Sequence, residues 1–139
     1  MSHSRYGEDP GRVLRVALTT NGVSTAASGA LLLVGAPILH GVLGLTSPLP
    51  LAVLGVLFLA FAAQVWLARR EPLNPRLGLA IFIMDVAYVA ASVVFLLGWP
   101  RILSPLGWWL TLGVAEVVAV FAIAEYVGLR RLTRTVAAA

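Results

Sequence analysis

Residues 77–98 read LGLAIFIMDVAYVAASVVFLLG, twenty-two residues carrying a single charge at Asp85. The hydrocarbon core of a bilayer is about 30 Å thick and takes ~20 mostly apolar residues in a helix. This stretch is long enough to cross it. Its backbone amides would meet no water there, and a helix pairs them internally. Three further runs have the same character, at 13–36, 51–68 and 106–128. None shows the apolar–polar alternation of a membrane barrel strand. The expected fold is therefore all-α, a bundle of four transmembrane helices over 13–128. A polar segment, 1–12, precedes it and a tail, 129–139, follows.

The composition agrees. Of 139 residues, 60% are hydrophobic and 12% charged, against roughly 25% charged in soluble domains. A soluble globule of this size cannot hide so much apolar surface. That excludes a soluble enzyme and a disordered tail. The lack of cysteine also excludes disulfide frameworks and thiolate metal sites. The apolar run after Arg15 exceeds the 7–15 residues of a signal-peptide core, and no small-x-small cleavage site follows it. It reads as the first span.

Local signals set the expected boundaries. Asp9-Pro10 reads as an N-cap followed by proline at the first helical position. Pro37 is expected to close the first span, with Gly41, Gly44, Pro48 and Pro50 breaking the chain after it. Glu71-Pro72-Leu73-Asn74-Pro75-Arg76 reads as a polar turn, and Trp99-Pro100-Arg101 closes the third span.

All ten basic residues are arginines, giving a net charge of +4. Arg5, Arg12, Arg15, Arg69, Arg70, Arg76, Arg130, Arg131 and Arg134 flank one side of the spans, and Arg101 alone lies on the other. Positive residues in short loops mark the cytoplasmic side. Both termini and the central loop are expected there, and Arg69, Arg70, Arg130 and Arg131 suit anionic lipid headgroups. A nucleic-acid partner would need these arginines on one soluble face, so none is expected. Trp99, Trp108 and Trp109 on one side, with Trp66 and Tyr126 on the other, read as interfacial belts.

Two halves of the chain resemble each other. Asn21-Gly-Val-Ser-Thr-Ala26-Ala27-Ser28 lies over Asp85-Val-Ala-Tyr-Val-Ala90-Ala91-Ser92. Ser47-Pro48-Leu49 recurs as Ser104-Pro105-Leu106, and Arg69-Arg70 as Arg130-Arg131. The same register sets Gln64 over Glu125. Chance similarity between Ala/Leu/Val-rich helices is the competing explanation. A real repeat would be parallel, about an axis along the membrane normal.

Three of the six acids fall inside spans. From the helical rise, Asp85 lies ~12 Å from the arginine-flanked end of its span, Glu116 ~18 Å and Glu125 ~5 Å. Asn21 and Gln64 match the depths of Asp85 and Glu125. The five are expected to face one interior cluster, Glu125 being also within reach of Arg130. Such carboxyls cost roughly 2.5–3.5 kcal/mol to insert, and burial without a basic neighbour favours their neutral form. Two readings stand. They lock helix register through hydrogen bonds, or Asp85 and Glu116 bind a proton for transport. The almost wholly apolar outer halves favour the first. Stripes at Gly22-xxx-Ala26-xxx-Ala30, Ser24-xxx-Ser28, Ala87-xxx-Ala91 and Ala115-xxx-Ala119 suit close helix packing, within the chain, with a second copy, or in a larger complex.

No nucleophilic triad, phosphate loop or zincin pattern is present, so no catalytic or metal site is expected. His40 stands as a candidate axial ligand for haem or a pigment, against a plain interfacial histidine. Asn21 with Ser24 and Ser28-Gly29, Leu67-Ala-Arg69-Arg70, Asp85 and Gly128-Leu-Arg130-Arg131 give a layout that resembles small four-helix bacterial membrane proteins, DoxX-like in size. The resemblance implies the bacterial inner membrane and no particular reaction. The expected role is a non-enzymatic accessory or assembly subunit. The alternatives are a proton-coupled permeation protein and haem or pigment binding.

Overall fold

The computed structural model describes residue 9 and residues 11–137, apart from the side chains of Thr135 and Val136; Arg5 and Pro10 lie outside them. The chain is all-helical over these residues: α1 Arg12–Val42, α2 Leu49–Ala68, α3 Pro75–Gly98 and α4 Pro105–Ala137. All four are long and apolar enough to cross a membrane.

Two helices outrun their expected limits. α1 passes through Pro37 and Gly41 to Val42. Proline forfeits one backbone bond, whereas ending the helix inside hydrocarbon would unpair several. α4 continues beyond residue 128 and carries Arg130, Arg131 and Arg134 on a helical extension. The start of α1 also differs, since Gly11 rather than Asp9 is its N-cap. Asp9 still serves that end, its Oδ1 accepting from Gly11 N at 2.9 Å and its carbonyl from Arg12 N at 2.9 Å. At α3 the polar turn itself supplies the helix cap. Asn74 Oδ1 accepts from Arg76 N at 2.9 Å, and Pro75 takes the first turn.

α1 packs along α2 and α4, and α4 along α3, whereas α2 and α3 meet only sparsely. The ring α2–α1–α4–α3 therefore has a seam. Close approach is set by glycines. A Cβ on Gly29 would sit 2.9 Å from the Gly55 carbonyl oxygen, and one on Gly55 2.7 Å from Leu33 N. Likewise a Cβ on Gly128 would sit 2.6 Å from Leu14 Cα. Of the small-residue stripes, Gly22 and Ala115 are buried but Ala87 and Ala91 face outward. Spacing reveals a face without saying which way it points.

Both ends are tied. At the arginine-rich end Leu14, Leu18, Val65, Ala68, Ile81 and Leu129 from all four helices form the core, with Phe61, Phe82 and Leu132 against it. At the other end Gly44 adopts φ +81°, a backbone that favours glycine. There Ser104 N donates to Leu43 O at 2.9 Å and Ser104 Oγ to Val42 O at 2.8 Å, joining the two loops. Trp99, Trp108 and Trp109 lie at this end, and Trp66 at the arginine-rich one. Between them the outer surface is mostly apolar, with Val34, Ile38 and Leu97 exposed.

Candidate functional site

Asn21 of α1, Asp85 of α3 and Glu125 of α4 converge in the interior, each almost wholly buried. Asn21 Nδ2 donates to Asp85 Oδ2 at 2.7 Å and to Glu125 Oε1 at 2.9 Å. Its Oδ1 accepts from Thr25 Oγ1, one turn further along α1, at 2.9 Å. In this orientation the NH2 end of the amide faces both carboxyls, which accept from it. Both amide hydrogens are thus spent, while Glu125 Oε2 is buried with no hydrogen-bond partner. The cluster has more acceptors than donors. One amide is the shared donor to both carboxyls, and among the described residues no basic side chain joins them.

The structure brings together three of the five expected residues. Glu125 turns inward to Asn21 rather than toward Arg130. Gln64 is exposed, on the wall of a cavity of about 340 Å³ at the α2–α3 seam that Thr25, Asp85 and Tyr88 also line. Glu116 is exposed on the outer face of α4. Helical phase explains the split, because Glu116 and Glu125 are nine residues apart. At 3.6 residues per turn that is two and a half turns, which places them on opposite sides of α4. Depth alone had grouped them.

The remaining candidates sit at the bundle's ends. Arg69 stacks over Trp66, its guanidinium carbon 3.6 Å from the ring centre, with Nη1 3.5 Å from Thr19 Oγ1. Arg70, Arg130 and Arg131 are exposed. Arg15, read only as an orientation marker, bridges Glu71 at 2.7 Å and Asp9 at 3.2 Å, holding the central loop to α1. His40 is half-buried with Nδ1 3.2 Å from the Ala36 carbonyl, a contact within its own helix. Among the described residues no three His, Cys, Asp or Glu side chains group as a metal site.

No protein-family model, curated protein or solved structure matches this chain.

Proposed function

We propose that this protein is a non-enzymatic membrane subunit that works as an assembly with a second copy of itself, joined along the outer face of α4. The observation that carries this reading is the exposure of Glu116, about 16 Å along α4 from Pro105 by the helical rise. A carboxyl at that depth almost always faces a protein interior, so this face has a partner to meet. Gly113, one turn away, has open space beside it where a neighbouring helix would approach. In a two-fold assembly about the membrane normal the two Glu116 side chains come to equal depth. There the two side chains meet each other across the axis and are taken out of contact with lipid.

The positive-inside distribution supports a cytoplasmic-membrane location with both termini and the central loop in the cytoplasm. Native mass measurement in mild detergent tests the assembly. The native chain and Glu116→Gln, which keeps a donor and an acceptor, are expected as dimers, and Glu116→Leu as a weakened one. A lone monomer overturns the proposal. So does a stoichiometric complex with a different chain, which would assign the face to a larger assembly.

A further inference from the structure

The seam between α2 and α3 is a second unexplained feature, independent of the α4 face. Its cavity, about 340 Å³, falls in the range of about 300–1,000 Å³ typical of small-molecule sites. Leu54, Leu57, Phe58, Phe61 and Met84 make apolar walls. Leu57 and Met84 are exposed at 59% and 42%, so the mouth opens sideways through the apolar belt. A molecule entering there comes from the lipid phase and carries an apolar body.

The inner wall specifies the other end of that molecule. Asp85 reaches the cavity, with Glu125 sharing the Asn21 amide behind it. Glu125 Oε2, buried and without a partner, marks a cluster short of donors and of positive charge. The ion pairs Arg15 makes with Asp9 and Glu71 lie at the arginine-rich end and do not neutralise it. An anionic head would be repelled there. A cationic head supplies both the missing charge and N–H donors.

We propose that the α2–α3 cavity binds lipid-soluble cations, molecules with an apolar body and a protonated amine whose ammonium hydrogen-bonds to Asp85. Gln64 and Tyr88, on the same walls, add polar contacts beside the head.

The test compares three probes with one tail, N,N-dimethyloctylamine, 1-octanol and octanoate. Binding to the full chain in zwitterionic lipid nanodiscs is measured, with empty discs subtracted. The amine is expected to saturate one site per chain, with octanol and octanoate at least tenfold weaker. Asp85→Asn should weaken amine binding at least tenfold and leave octanol unchanged. Leu57→Trp, which fills the mouth without touching the carboxyls, should weaken it similarly. Helix content and monodispersity certify each variant. If Asp85→Asn does not fold, the probe series and Leu57→Trp carry the test alone. Equal binding of amine and octanol overturns the proposal, as does native amine binding by either folded variant. Glu116→Leu should bind amine normally, so failure of the dimer and failure of this site are distinguishable.

Discussion

Asn21 Nδ2 and Asp85 Oδ2 lie 2.7 Å apart although 64 residues separate them in the chain. The bond crosses from the first helical hairpin to the second, and its other arm reaches Glu125 on α4. One amide therefore sets the rotation of three helices at once. Polar bonds in membranes are worth only about 0.6 kcal/mol on average, but unpairing buried groups costs ~1–3 kcal/mol each.

Asn21→Leu is accordingly expected to lower stability by about 2–4 kcal/mol, since it strands two buried carboxyls. Gln64→Leu, at an exposed position, should change it by under about 0.5 kcal/mol. Unfolding of each in mixed micelles with increasing anionic detergent compares them. Equal effects would show that the cluster has no special structural weight.

The donor shortage at Glu125 makes a separate claim. Glu125→Gln brings an N–H2 to the position of the unpartnered oxygen, where it can donate to Asp85. It is expected to hold native stability within about 1 kcal/mol, whereas Glu125→Leu removes the acceptor of the second Asn21 hydrogen and costs ~1–3 kcal/mol. The same unfolding assay reads both, and the reverse order would contradict the geometry.

Backbone contact between α1 and α2 predicts an asymmetry among glycines. Gly29→Ala presses a methyl against Gly55 and Leu59 backbone atoms, an overpacking that costs ~1–3 kcal/mol. Gly113→Ala meets nothing within the chain and should slightly stabilise the helix. Thermal unfolding in detergent monomers separates the two.

Orientation is open to direct labelling because the chain has no cysteine. Thr46→Cys, in the α1–α2 loop, should react with an impermeant maleimide on intact bacterial spheroplasts expressing the protein. Arg70→Cys, beside the central loop, should react only after permeabilisation. The opposite pattern would invert the topology.

The helices were legible because membrane burial writes itself into composition over twenty residues at a time, as in 77–98. Their ends were less so. Pro37 breaks helices in water, and only the surrounding hydrocarbon explains why α1 runs on through it. The cluster was half legible. Depth follows from counting residues, which found Asn21, Asp85 and Glu125, but the direction a side chain points depends on which helix face is inward. Phase relative to Glu125 separated Glu116, yet nothing local told which of the two faced the core. The seam was invisible in sequence, because it depends on how closely two non-consecutive helices approach. The similarity of the halves would lead one to expect α2 and α3 to pack as α1 and α4 do, and they do not.

The seam is closed at the arginine-rich end by the Leu14–Val65–Ile81–Leu129 core, and its cavity opens sideways past Leu57 and Met84. It is a side window rather than a shaft. A ligand of the proposed kind would reach Asp85 within the plane of the bilayer, by two-dimensional diffusion. Occupancy of such a window follows the chemical make-up of the surrounding lipid and only indirectly the concentrations in either aqueous compartment. A ligand site of that kind would sample the membrane itself.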